Sequence, residues 1–244
     1  MIGVGTLVNI VAILVGSSVG AVVGDRLTER SRTLTTDILG LITVLNGALS
    51  LKVVLSGDMV DAIGDTWVIF LLLAALLLGG LVGSLLRVED RLDGLGQQLR
   101  AKLARGSGQG SFVEGFVTAS LVFCIGPLAI MGAFDDAMGL GTDKLILKSV
   151  LDLFASMAFA ASFGWGVAAS AIAVGVYQGL LTVVGLGLGT MWDAAQIDAM
   201  TAVGGLLLIA IGLRLLHMKQ IAIGNLLPSL FLAPYLLTLF ALYS

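Results

Sequence analysis

The stretch LILKSVLDLFASMAFAASFG, residues 145–164, is apolar along most of its length, yet it contains a lysine and an aspartate. A helix of this length spans roughly 30 Å, the thickness of a bilayer's hydrocarbon core. A charged side chain near mid-bilayer costs roughly 2.5–3.5 kcal/mol on insertion scales. Lys148 and Asp152 are four residues apart, so a helix places both on one face. The segment therefore predicts a membrane span whose charges serve a purpose.

Two serines extend this polar face. Ser149 and Ser156 fall with Lys148 and Asp152 within an arc of about 100° on a helical projection. If the span starts at the outer surface, Lys148 is only about 4–5 Å deep and can snorkel outward. Asp152 is about 10 Å deep, and its side chain is too short to reach the surface. Asp152 is therefore the leading functional candidate, with Lys148 as its escort.

The composition of the chain places it in the membrane. Of 244 residues, 58% are hydrophobic and only 12% are charged, which does not suit a soluble domain that must wet its surface. The apolar stretches lack the alternation of barrel strands, so we expect an all-α protein. A single cysteine, Cys124, excludes an internal disulfide and a cysteine metal cluster. We expect no metal and no cofactor. We also expect no nucleic-acid partner, because no basic patch is present.

Eight apolar segments predict a polytopic transmembrane helical bundle that forms a single integral membrane domain over residues 1–244. The first segment lacks a positively charged start, so we interpret it as a retained span and not a cleaved signal. The fifth and sixth meet at Gly164-Trp165-Gly166, which predicts a very tight turn; one long kinked helix is the alternative. The segments are residues 2–24, 34–55, 67–86, 112–134, 145–164, 167–188, 199–216 and 221–243.

The links between the segments predict an orientation. Ten of the thirteen lysines and arginines lie in the first, third and seventh links, and the even-numbered links are mostly acidic. The positive-inside rule places the basic links in the cytoplasm and both termini outside. In the long third link, residues 88–111, leucines recur at helical spacing among arginines. This pattern predicts a cytoplasmic amphipathic helix on the inner leaflet, with a solvated loop as the alternative.

Glycine-containing motifs recur within the sequence in two ways. Similar glycine-rich and Asp-Ala-x-Gly motifs in residues 1–64 and 65–139 indicate a duplicated helical hairpin. Small residues also recur every four positions, which lets membrane helices approach closely. We interpret these stripes as packing within one subunit; a homo-oligomer through them is the alternative. The stripes consist of Gly16, Gly20, Gly24, Gly79 and Gly83.

Further polar residues occur on other predicted spans. Asn9, Asn46, Glu114 and Gln178 each lie within an apolar segment, where they serve either as hydrogen-bonding contacts between helices or as ligands of a solute. In the fourth segment, Gly126-Pro127 interrupts the helical pattern, because proline lacks a backbone donor. A simple kink is one interpretation; a discontinuous helix that lines a site is the other.

Several of these segments together resemble the YdfK/YqgA-like family of bacterial inner-membrane proteins. The matching stretches cover nearly the whole chain in order: GTLVN at 5–9, FCIGPLAIMG at 123–132, KSVLD at 148–152, SA at 170–171, YQG at 177–179, VGG at 203–205 and GNLLP at 224–228. The resemblance implies a multi-pass protein of the bacterial plasma (inner) membrane, and it implies no substrate. In that family the position of Pro127 is often alanine, and a glycine often stands where this chain has Leu153.

The sequence thus favours a secondary transporter or channel that moves a small polar or charged solute or ion across the lipid bilayer. In this hypothesis Asp152 is the coupling carboxylate, Lys148 its counter-charge, and Asn46 and Gln178 neutral ligands. The rival is a non-transporting scaffold or regulatory subunit whose polar residues only join helices. An enzyme is not expected, since the chain has no hydrolase, zincin or phosphate-loop motif. The only histidine, His217, lies in a basic link without a second metal ligand.

Overall fold

The computed structural model describes residues 2–103, 111–188 and 192–242, and this part of the chain is helical without a strand. The α-helices are α1 Val4–Gly24, α2 Glu29–Ser50, α3 Asp58–Ile63, α4 Asp65–Leu85, α5 Val88–Leu103, α6 Ser111–Cys124, α7 Pro127–Ala137, α8 Asp143–Phe163, α9 Gly166–Leu188, α10 Ala194–Leu215 and α11 Pro228–Ala241. Short 3-10 helices, Leu51–Val54 and Ile223–Leu226, follow α2 and precede α11.

The helices are those of a polytopic membrane protein. Within the described residues, seven helices are long and apolar enough to cross a bilayer, and the bent pair of α6 and α7 provides an eighth span if counted as one. The predicted all-α transmembrane bundle of about eight spans is therefore confirmed. Its orientation, with both termini outside, stays a prediction.

Local sequence explains where the helices differ from the predicted segments. The helix α10 begins earlier than residue 199 because Asp193 and Gln196 form a capping box: Asp193 Oδ1 accepts from Gln196 N at 2.8 Å, and Gln196 Oε1 accepts from Asp193 N at 3.0 Å. Between α8 and α9, Gly164 adopts a φ of 73°, a conformation that glycine reaches without strain. The fifth and sixth segments are therefore separate helices joined by a tight turn.

The fourth segment is discontinuous. The helix α6 ends at Cys124, Gly126 is extended with φ −108° and ψ 143°, and Pro127 is the first residue of α7. The two helices are bent by 63°. A proline at the first helical position costs no hydrogen bond, because the missing donor has no partner there in any helix. The structure therefore has a discontinuous helix at Gly126-Pro127, and its role in lining a site stays a prediction.

The chain divides into two compact units. One contains Met1–Leu39 and Asp93–Met191, and the other contains Gly40–Leu92 and Trp192–Ser244. The single integral membrane domain and the duplicated hairpins, residues 1–64 and 65–139, stay predictions. In the third link a helix does form, as α5, and its place on the inner leaflet also stays a prediction; the glycine-rich end of that link lies outside the described residues.

Glycines bring the helices of each unit into close contact. In the first unit, a Cβ on Gly16, Gly20 or Gly24 of α1 would overlap backbone carbonyls of α8. In the second, a Cβ on Gly79 or Gly83 of α4 would overlap the backbone of Ser229 or Asn225. The stripes are therefore used for packing within the chain, as first interpreted. A homo-oligomer through these same glycines stays a prediction.

Candidate functional site

The centre of the first unit contains a buried ion pair on α8. The Lys148 ammonium donates to Asp152 Oδ2, and the two residues are only 5% and 6% exposed. The expectation that Lys148 snorkels to the surface is wrong, because its side chain folds along the helix to reach Asp152 one turn away. Lys148 and Asp152 must therefore be explained together, as one ion pair.

An aromatic side chain also contacts the lysine. The Lys148 Nζ atom lies 5.9 Å from the centre of the Phe123 ring, which favours a cation over its face. The Phe123 ring in turn packs edge-on against Phe159 of α8, with 6.1 Å between the ring centres. Because Phe123 is in the last turn of α6, the ion pair lies beside the break between α6 and α7. Cys124, the last residue of α6, is within electrostatic range of both charges.

Two amide side chains complete the cluster. Asn9 of α1 and Gln178 of α9 are both completely buried, and Asn9 Nδ2 donates to Gln178 Oε1 at 3.4 Å. The Asn9 amide also interacts with the Asp152 carboxylate. Helices α1, α8 and α9 therefore bring together four polar side chains from three distant parts of the sequence. We call Asn9, Lys148, Asp152 and Gln178 the polar cluster.

The polar cluster has hydrogen-bonding capacity left over. Among the residues that the structure describes, Asn9 Oδ1 and Gln178 Nε2 have no partner, although both atoms are buried. The Asn9–Asp152 interaction fixes this assignment, because a turned-over Asn9 amide would set its oxygen against the carboxylate. A buried polar atom without a partner costs roughly 1–3 kcal/mol. The open donor and acceptor are therefore features to expect where a solute binds.

The predicted serines lie beside the cluster, but their hydroxyl protons are directed at their own helix. Ser149 Oγ donates to the Leu145 carbonyl at 2.6 Å, and Ser156 Oγ donates to the Leu153 carbonyl at 3.0 Å. Both serines are buried. Each hydroxyl can still accept a hydrogen bond, but neither donates to Asp152 in this arrangement.

Two predicted site residues lie away from the cluster. Asn46 lies in the other compact unit and its side chain is exposed. Its neighbour Gly47 explains the unusual Asn-Gly pair, because a Cβ there would lie 2.6 Å from the Gly205 carbonyl of α10. Glu114 is half-buried in the first turn of α6, about 15 Å along that helix from Cys124. A carboxylate in a first turn is stabilised by the helix dipole, which gives Glu114 a structural explanation.

Sequence reasoning missed three residues near the cluster. Phe123 and Cys124 were passed over because an aromatic ring and a lone thiol in an apolar segment give no polar signal. Tyr177 has a buried hydroxyl without a partner among the described residues, and it stands next to Gln178 in the YQG motif. That position was the available signal for Tyr177. No three His, Cys, Asp or Glu residues in the described ranges lie close enough to hold a metal.

An apolar groove of about 540 Å³ runs beside the cluster in the same unit. Ile10 and Leu14 of α1 line one side, and Ile172, Gly175 and Val176 of α9 line the other. Ile10 follows Asn9 directly, so the Asn9–Gln178 hydrogen bond crosses the seam between α1 and α9 next to the groove. The groove is therefore adjacent to the cluster without including it.

Comparison with known proteins gives the family. Residues 4–238 match the model of the family described as "Protein of unknown function (DUF554)". The chain belongs to this family. The predicted resemblance to YdfK and YqgA is confirmed, because both are similar to the DUF554 chain over nearly its whole length.

The DUF554 chain is 28% identical over 230 residues to "Uncharacterized membrane protein YdfK" of Bacillus subtilis (strain 168). The aligned region covers 94% of this chain and 93% of the relative. The DUF554 chain is 33% identical over 242 residues to "Uncharacterized protein YqgA" of Escherichia coli (strain K12), with 94% of each chain covered. No solved structure matches the chain significantly. The membrane assignment thus agrees with the name of a relative.

Proposed function

We propose that this protein is a secondary transporter or channel for a small polar or charged solute, and that the polar cluster is its binding site. The observation that carries the proposal is the buried ion pair with an open donor and an open acceptor beside it. In keeping with the family resemblance, we place the protein in the bacterial plasma membrane. We propose no catalytic activity for it.

The position of the ion pair argues for a site. Lys148 and Asp152 lie on the same helix, so the bond between them cannot hold two helices together. Burying both charges nevertheless has a desolvation cost of several kcal/mol. A pair that served only to join helices would be placed across two of them. A binding role gives the pair a purpose that matches its cost, because a solute can exchange places with either partner.

The discontinuous α6–α7 segment supports the same proposal. Broken membrane helices are tolerated where their free backbone groups face protein or a watery cavity, and transporters use such breaks at their binding sites. Here the break lies beside Lys148, as its contact with the Phe123 ring indicates. The ion pair and the broken helix thus occur together within one compact unit.

Flux measurements test the role of Asp152. We expect proteoliposomes containing the wild-type protein to transport at least one solute from a panel of inorganic ions and amino acids. Asp152→Asn should reduce that flux at least tenfold, because the site loses one of its two charges. The matched control is Asp143→Asn, the same change at an exposed position on the same helix, which should retain the flux. Equal flux through wild type and Asp152→Asn would exclude Asp152 from the mechanism.

A scaffold is the second candidate, and one observation favours it: the ion pair is buried and closed on itself. Cysteine accessibility separates the two candidates. It is measured in a Cys124→Ala background that unfolds at the wild-type temperature. In a transporter, Ser156→Cys should react with a small water-soluble thiol reagent, and a transported solute should slow the reaction. In a scaffold, the same cysteine should stay unreactive in the folded protein.

A further inference from the structure

We infer that the solute is a small zwitterion, a molecule that carries one ammonium and one carboxylate, such as a free α-amino acid. This inference rests on the proposed function and narrows its substrate class. It is carried by the charge balance of the polar cluster and by the two kinds of hydrogen-bonding groups that the cluster leaves open.

The charge balance of the cluster selects against a solute with a net charge. Lys148 and Asp152 have opposite charges, and their pair is neutral. A lone cation or a lone anion would add an unpaired charge to a buried site, which has a high desolvation cost. A zwitterion adds none. It replaces the single bond between Lys148 and Asp152 with two ion pairs, one from its carboxylate to Lys148 and one from its ammonium to Asp152.

One other charged residue of this unit is buried among the described residues, and it is accounted for. Asp136 of α7 accepts a hydrogen bond from the Gly3 backbone N–H at 3.0 Å. This bond is at the amino end of α1, where the helix dipole favours a negative charge. Asn9 is about 9 Å further along α1. The Asp136 charge is therefore compensated locally and leaves the neutrality of the polar cluster unchanged.

The open atoms match the two ends of a zwitterion. An ammonium has three donors, of which Asp152 can accept one or two, and the open Asn9 Oδ1, on the amide whose N–H interacts with Asp152, can accept another. A carboxylate accepts several hydrogen bonds, and Lys148 and Gln178 Nε2 can donate to it. One open acceptor and one open donor suit a solute that both donates and accepts.

The broken helix adds a favourable field for the carboxylate. The helix α7 has eleven residues and begins just after Cys124 and Gly126, beside the ion pair. The amino end of a helix carries a partial positive charge, and discontinuous membrane helices direct such ends at anionic groups of their solutes. Together with Lys148, this end provides the positive half of the site. Asp152 and Asn9 provide the negative half.

The test compares each zwitterion with analogues that lack one of its charges. The probes are L-alanine with ethylamine and propionate, and L-leucine with 3-methylbutylamine and 4-methylpentanoate, each measured as a competitor of amino-acid uptake in proteoliposomes. All twenty amino acids are first screened for uptake. We expect at least one amino acid to be transported, and its amine and acid analogues to compete at least tenfold more weakly.

Charge variants sharpen the comparison. Lys148→Gln leaves the site negative and should shift preference toward amines, whereas Asp152→Asn leaves it positive and should shift preference toward carboxylates. This reciprocal switch is not expected of residues that only stabilise the fold. Asp143→Asn should keep the wild-type preference. If a variant does not fold, the wild-type competition series decides the inference without it.

The outcomes separate this inference from the proposed function. Transport of an inorganic ion, a neutral solute or an amine without transport of any amino acid would overturn the zwitterion and leave a transporter. Competition by the amines or acids as strong as that of the amino acid would do the same. Absence of flux for every solute in both panels would overturn both proposals.

Discussion

Asp152 illustrates how far a single residue can be interpreted. Its depth, its polar face and Lys148 as its counter-charge were apparent from spacing, but the outward snorkelling of Lys148 was not confirmed, because the sequence does not say which way a lysine turns. The structure has Lys148 reaching along the helix to Asp152, with the Phe123 ring over its ammonium. A snorkelling lysine would leave a lone buried carboxylate. The observed pair is neutral, and this neutrality is what points to a zwitterionic solute.

Glycines provide a prediction at the same scale. Gly20→Ala should destabilise the protein by about 1–3 kcal/mol, because the new methyl group would overlap the Met157 backbone, which cannot move as a side chain can. The midpoint temperature of unfolding in detergent measures the change. The matched control is Gly179→Ala in α9, where no described atom lies within 4 Å of the added Cβ. This control should be neutral or slightly stabilising, as expected for alanine in a helix. A Gly20→Ala protein as stable as wild type would show that α1 and α8 are not in close contact.

At the scale of elements, the start of α5 is held by a polar network in the second unit. Glu89 Oε1 accepts from Arg214 Nη1 at 2.8 Å, and Glu89 Oε2 accepts from Gly224 N at 2.5 Å. The Glu89 backbone N–H donates to Asn225 Oδ1 at 3.0 Å. One carboxylate thus joins the first turn of α5, the last turn of α10 and the 3-10 helix before α11. The GNLLP motif has a physical explanation here, because Asn225 caps α5 and a Cβ on Gly224 would lie 2.6 Å from Glu89 Oε2.

This network gives a prediction about stability. Glu89→Gln should destabilise the protein by about 1.5–3 kcal/mol, because it removes a charge-assisted bond from Arg214 in a mostly buried setting. Asp90→Asn is the matched control, since Asp90 is the exposed neighbour in the same first turn. This variant should unfold at the wild-type temperature. Thermal unfolding in detergent compares the two. An equal loss of stability in both variants would show that the effect comes from the negative charge of the first turn and not from the Glu89–Arg214 bond.

At the scale of the whole molecule, the distribution of charges among the links predicts the orientation. Arg30 in the first turn of α2 and Asp61 in α3 are both exposed. They belong to the first and second predicted links, and the apolar part of α2 lies between them. In a Cys124→Ala background, we expect Asp61→Cys to react with a membrane-impermeant maleimide in intact spheroplasts. Arg30→Cys should react only after permeabilisation, because basic links stay in the cytoplasm. The reverse pattern would invert the predicted topology, and labelling of both sites in intact spheroplasts would contradict a membrane crossing by α2.

The sequence by itself determined the class of the protein and most of its elements. Long apolar segments can only be helices in a bilayer, because every backbone group must find its partner within the segment. The same local rules predicted an interruption at Gly126-Pro127, with a kink or a break left open, and the turn at Gly164-Trp165-Gly166, and they made Asp152 the leading candidate. Boundaries failed where a side chain acts over several residues, as Asp193 does in extending α10.

Only the tertiary structure decided which polar residues meet. Asn9, Asp152 and Gln178 come from three helices, and Asn46 looked equally suitable in sequence but lies exposed in the other unit. Helical periodicity fixes which side chains share a face of one helix. It does not fix which faces of different helices turn toward each other, because in lipid that choice follows from close packing between particular small residues. Here Gly16, Gly20 and Gly24 bring α1 against α8, and Asn9 reaches Asp152 as a result.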